Sequence, residues 1–235
     1  MKPYFSVRML VLPALVLCLI VTSCKKENDP IVKENLTNTT GTEHRTVVLQ
    51  ADGRIMASPN VEMSLGDYSG SDYSLYPTQE LNAIAWTING LPVTMRSMFK
   101  FSGIPSGGGQ EPPIAAYLTL YSSPTPGNGN LVTPNAGWDN SFYIRRVTDN
   151  WIPTSTNWFN QPATTSQGEV FIPHTDSPVL DLVNIDVTQM VQDMYTSGNF
   201  GFMIQLQGEY YYNSRIFCSS NYPDASKRPR LTIVF

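Results

Sequence analysis

Cysteine and histidine are scarce in this sequence, and its basic residues are thinly spread. Of three cysteines, Cys18 and Cys24 fall near the N-terminus, so Cys218 stands alone in the rest of the chain. No intrachain disulfide can tie the body of the protein together, and core packing must do so. Cys218 lies in phase with Ile216 on a strand pattern and reads as a small core residue, with a reactive thiol as the alternative. The two histidines, His44 and His174, form no His-x-x-His, and there is no Cys-x-x-Cys or Glu-x-x-His spacing to suggest zinc. His174 sits between Pro173 and Asp176 and reads as a turn residue, which leaves no good candidate for a catalytic imidazole. Lysine and arginine number 15 against 19 acidic residues, with no basic cluster, so nucleic acid is not an expected partner. Gly107-Gly108-Gly109 lacks the Lys-Ser/Thr of a phosphate loop and reads as a hairpin connection.

One apolar run is present, at the start. Lys2 and Arg8 form a basic region, Met9 to Thr22 is apolar apart from Pro13, and Val21-Thr22-Ser23 leads into Cys24. The run is too short for a stable membrane span and reads as a secretory signal over residues 1–23. Its small-small-Cys ending resembles a bacterial lipobox, which implies cleavage before Cys24 and acylation there, with palmitate-type chains. Each buried methylene of such a chain contributes about 0.8 kcal/mol, and several chains together anchor a protein firmly. Lys25-Lys26-Glu27-Asn28-Asp29 is similar to the lipoprotein export signal of Bacteroidota, with Asn28 interrupting the acidic pair. The expected location is the outer membrane, lipid-anchored and exposed at the cell surface. Residues 24–45, rich in Asn and Thr, read as the lipidated cysteine and a flexible polar tether.

From residue 46 on, strand patterns dominate. Met95 to Phe101 alternates, with Ser97, Phe99 and Phe101 on one face and Arg96, Met98 and Lys100 on the other. Ile114, Ala116, Leu118 and Leu120 oppose Tyr117, Thr119 and Tyr121. Further strands are marked by Phe142 to Val147, Phe202 to Leu206 and Leu231 to Phe235. Short strands separated by Gly, Pro, Asn and Ser predict an all-β sandwich or barrel. One helix is expected, capped by Asp186 with Gln189 in a capping box, carrying Met190, Val191 and Met194 on one face and ending at Gly198.

Several segments recur in a characteristic order. Arg96-Ser97-Met98-Phe99-Lys100-Phe101 precedes Ala116-Tyr117-Leu118-Thr119-Leu120-Tyr121, then Val147-Thr148-Asp149-Asn150-Trp151 and Thr156-Asn157-Trp158-Phe159-Asn160-Gln161-Pro162. Ile185-Asp186-Val187, Asn199-Phe200-Gly201-Phe202, Arg215-Ile216-Phe217-Cys218-Ser219-Ser220 and Arg228-Pro229-Arg230-Leu231 follow. Over residues 46–235 this series resembles the DNRLRE domain of bacterial and archaeal surface proteins, with a weaker match from Asp52 to Leu91. The resemblance implies a single jelly-roll β-sandwich with one short helix. It also implies glycan binding, since the family includes modules for acidic polysaccharides such as alginate; a fold alone does not fix a function.

The aromatics and cations supply the candidate ligand contacts. Trp151 and Trp158 belong to the fold pattern and read first as structural anchors, with sugar stacking as the alternative. Trp138, in a polar loop, and Tyr210, Tyr211 and Tyr212, which cannot all be buried on one strand face, are the candidate glycan contacts; the alternative is a tyrosine lid over a sandwich edge. Arg96 and Lys100 share a strand face from which a uronate carboxylate can be gripped; the alternative is that Arg96 pairs with a carboxylate of the protein. Asp52, Asp139 and Asp149 are possible oxygen donors to a structural calcium. The function expected is non-catalytic polysaccharide binding at the cell surface. The alternatives are a structural or adhesive domain with a protein partner, and a polysaccharide lyase or hydrolase.

Overall fold

The computed structural model describes residues 47–49, 54–57, 59, 61–104, 107 and 111–235. The signal peptide, Cys24, the tether and Asp52 lie outside these residues. Two antiparallel sheets form a β-sandwich of jelly-roll type. In the first sheet the order is β1 (Val47–Leu49), β2 (Arg54–Ala57), β14 (Arg230–Val234), β7 (Ala115–Leu120) and β11 (Leu182–Asp186). The second runs β10 (Thr164–Ile172), β9 (Phe142–Val147), β12 (Phe202–Leu206), β6 (Leu91–Lys100), β5 (Glu80–Ile88), β13 (Asn213–Cys218) and β8 (Asn135–Ala136). Strand β3 (Val61–Tyr68) pairs with the other edge of β6 and carries the short β4 (Ser71–Asp72).

Period-two alternation builds the interior. Phe99, Phe101, Phe142, Phe202 and Phe217 meet Ala116, Leu118, Leu120, Leu231 and Ile233 between the sheets. Phe99 stacks on Phe202 at 5.6 Å between ring centroids, and Phe101 meets Phe202 edge-on at 6.0 Å. Ile114, expected on the inward face of β7, precedes the strand and is exposed. Cys218 is a free thiol with no accessible surface, and burial pushes its pKa up to about 12.

The second sheet branches along β6. Its residues 91–95 pair with β5 on one edge, and residues 97–99 on that edge pair with β12 instead. Asn82 would have continued the ladder opposite Ser97. Its backbone N–H instead donates to Ser97 Oγ at 2.6 Å, and its side chain donates to Ser64 Oγ at 3.1 Å. A buried donor left open by the branch is thereby satisfied, as burial requires.

Helix α1 (Thr188–Ser197) packs against β7 and β10, one strand from each sheet, and sends Met190, Val191 and Met194 into the core. Its start differs from the capping-box expectation. Val187 occupies the cap without a side-chain bond, Asp186 accepts from Thr188 N–H at 2.9 Å, and Gln189 turns outward to Asp193. The stronger tie is tertiary: Thr188 Oγ accepts from Ala116 N–H, and Val187 N–H donates to the Ala116 carbonyl. Gly198, at φ +100°, ends the helix.

Candidate functional site

The long connection from Thr148 to Ala163 folds over the outer side of β3, β6 and β12 and makes a second small core. Trp151 is its anchor: 6% exposed, it packs with Met63, Leu65, Met98 and Met203, and its Nε1 donates to the Phe200 carbonyl at 2.8 Å. Trp158 is half-buried at the edge of the same cluster. Asn157 caps the turn that carries it by accepting from Phe159 and Asn160 N–H, while Asp72 accepts from Trp158 N–H at 3.1 Å.

Arg96 lies against this turn, its guanidinium 4.7 Å from the centre of the Trp158 ring. It donates to both carboxylate oxygens of Glu209, at 2.7 and 2.8 Å, and to Gln161 Oε1 at 2.9 Å. Such a two-point pair fixes orientation as well as position. Lys100 is four residues further along β6, roughly 13 Å by strand rise, and Met98 between them is buried under Trp151. Arg96 thus pairs with a carboxylate of the protein, the alternative drawn from the sequence, and ties β6 to the loop that follows β12.

That loop presents the tyrosines. Tyr210, Tyr211 and Tyr212 are all exposed. Tyr210 stacks on Trp138 at 5.5 Å with 29° between the ring planes, although 72 positions separate them in the chain. Tyr210 and Trp138 remain 60% and 67% exposed, and because Tyr210 also lies against Gly208 the outer side of Trp138 is the open end of this stacked aromatic platform. Asn213, fully buried, joins the two loops beneath it: its Oδ1 accepts from Asp139 N–H at 2.9 Å and its Nδ2 donates to the Tyr210 carbonyl at 2.8 Å. Gly137, at φ +101°, lies so close to Asn213 and the Tyr212 carbonyl that a Cβ there has no room. Tyr212 turns away from the platform and meets the Trp86 ring edge-on at 5.3 Å.

Asp139 accepts from Ser141 N–H and Oγ, and Asp149 from Ala163 N–H, each within its own loop. Among the described residues no group of three or more His, Cys, Asp and Glu side chains is placed to hold a metal ion. His174 is a bridge within loops, accepting from Asn140 N–H and meeting Asp176 at 3.1 Å.

Residues 130–234 match the model of carbohydrate-binding module family 96. The family 96 match names a carbohydrate-binding module and not the DNRLRE domain. It includes Trp138, both anchor tryptophans and all three tyrosines, and it excludes Arg96 and Lys100. No curated protein matches the chain. The sequence points to Trp138 and Tyr210 separately, but not to Asn213 and Gly137 as the groups that join their loops, or to Glu209 as the partner of Arg96. Gly137 beside an isolated tryptophan was the one available signal, since glycine often marks close backbone approach.

Proposed function

We propose that this protein is a lipid-anchored, surface-exposed module that binds polysaccharide without cleaving it. The observation that carries the reading is the open Trp138–Tyr210 platform. An aromatic face matches the apolar C–H face of a pyranose ring, and large exposed apolar surface is otherwise unfavourable in water. The match of residues 130–234 to a carbohydrate-binding module family supports the same reading. Rigid loops favour binding because less ordering accompanies it, and Asn213 and Arg96 hold both platform loops in place.

An acidic polymer such as alginate remains within this reading at the Lys100 end of β6. At Arg96 it would have to displace Glu209 from a bidentate pair. Stacking on the platform is therefore the primary contact.

The test is binding of the chain from residue 24 onward to alginate, pectin and neutral β-glucans, with and without calcium. Saturable binding with intact polymer recovered is expected. Trp138→Ala should weaken it at least about tenfold, as truncation of a central aromatic contact commonly does. Equal affinity of wild type and Trp138→Ala would remove the platform from the site, and shortened polymer would replace binding with catalysis.

A further inference from the structure

Strands β5 and β6 form a hairpin that turns at Asn89-Gly90, both at positive φ (51° and 80°), which this pair adopts readily. On the hairpin's outer side lies a groove of about 560 Å³, floored by Trp86, Val93 and Met95 and bordered by the loop 127–131. Small-ligand sites commonly occupy about 300–1,000 Å³.

The border is built into the fold. Glu80, only 7% exposed, accepts from Gly127 N–H at 2.8 Å, Asn128 Nδ2 at 3.0 Å and Ser123 Oγ at 3.1 Å. Asn130 Oδ1 accepts from the N–H groups of Val132 and Thr133. These bonds use one end of each asparagine amide. Among the described residues, the other ends, Asn128 Oδ1 and Asn130 Nδ2, have no partner, and neither does Trp86 Nε1. No charged side chain lines the groove.

We propose that this groove is a second saccharide site, taking one uncharged sugar unit with its C–H face on Trp86 and its hydroxyls toward Asn128 and Asn130. An aliphatic ligand would bury those polar groups unpaired. A uronate would bring a carboxylate with no cation to meet it. Only a molecule that alternates apolar faces with hydroxyls satisfies both surfaces. The inference rests on the domain being a glycan binder, yet it uses other residues than the platform, and apart from Asn130 and Leu131 it lies outside residues 130–234. Tyr212, which packs on Trp86, connects the two along one side of the molecule.

The indole N–H signals of the four tryptophans report on the two sites separately in ¹⁵N-labelled protein, once assigned with Trp→Phe variants. The probes are cellohexaose, laminarihexaose and an alginate hexasaccharide. The Trp86 signal should shift saturably with at least one neutral hexasaccharide while Trp151, buried and bonded to Phe200, stays fixed. Asn130→Asp, which keeps the turn acceptor, should weaken that response about threefold to tenfold, and Trp138→Ala should leave it in place. The proposal fails if Trp86 is silent to every neutral sugar, if only the alginate probe moves it, or if Trp138→Ala abolishes its shift. A Trp86 response with a silent Trp138 would sustain the groove and overturn the platform; the reverse would sustain the platform alone.

Discussion

Among the described residues Arg215 is the largest side chain with no exposed surface, and it carries its charge into the sandwich. Alternation along β13 puts it in phase with Phe217, on the face that forms the core. Desolvation lowers its pKa to about 10, so it stays protonated at neutral pH. Its guanidinium lies 5.2 Å from the Phe142 ring centre and 6.0 Å from that of Phe217, and Nη1 donates to Asn140 Oδ1 at 3.3 Å. Nε and Nη2 have no protein partner. Buried charges with incomplete pairing are often replaced by apolar side chains at no loss. Arg215→Met is therefore expected to stabilise the domain by about 1 kcal/mol or more, read as a rise in the denaturant midpoint at unchanged slope. A lower midpoint would mean that the ring contacts outweigh the desolvation.

At the scale of elements, the 3-10 turn Trp158–Asn160 shows how a short piece is held by something remote. Its own cap is local, through Asn157, but Asp72 reaches it from β4. Desolvation acts to raise the Asp72 pKa, and the hydrogen bonds from Ser74 and Trp158 outweigh it, leaving the value below 3.8. A carboxylate whose pKa is depressed on folding stabilises above its unfolded value and loses that contribution as pH falls through the folded one. Asp72→Ala should cost about 0.5 kcal/mol at neutral pH, given its exposure. The difference from wild type should disappear as pH drops below about 3.8. Coincident stability curves for the two proteins from neutral pH to pH 2 would show that Asp72 contributes nothing to the turn, and a constant offset that its charge does not matter.

For the whole molecule, two antiparallel sheets close on a shared core as a β-sandwich of jelly-roll type, and the proposed anchor at Cys24 would display it from a membrane. Helix α1 closes the gap between β7 and β10, and Arg146 on β9 approaches Asp193 of that helix at 3.7 Å. With Cys218 as the free cysteine among the described residues, sheet packing carries the stability. Cys24→Ala is expected to move the protein from the membrane fraction to soluble fractions while glycan binding is unchanged, measured by fractionation and the same polymer panel. Retention in the membrane would count against Cys24 as the point of attachment.

Much of this was legible in the linear chain. The alternation of Ser97, Phe99 and Phe101 against Arg96, Met98 and Lys100 is a local property, because neighbouring side chains on a strand point oppositely whatever lies beyond them. The helix face of Met190, Val191 and Met194 follows from 3.6 residues per turn in the same way. What the chain alone did not determine is which loops meet. Trp138 and Tyr210 become one platform only because β8 pairs with β13 and Asn213 bonds both loops. Arg96 turns from a ligand grip into a brace only because Glu209 arrives from 113 positions away. The groove at Trp86 likewise needs Glu80 to hold a loop that is 47 residues distant. Periodicity encodes the faces of elements; contacts between loops depend on sheet order and register, which arise when the sheets close on a shared core.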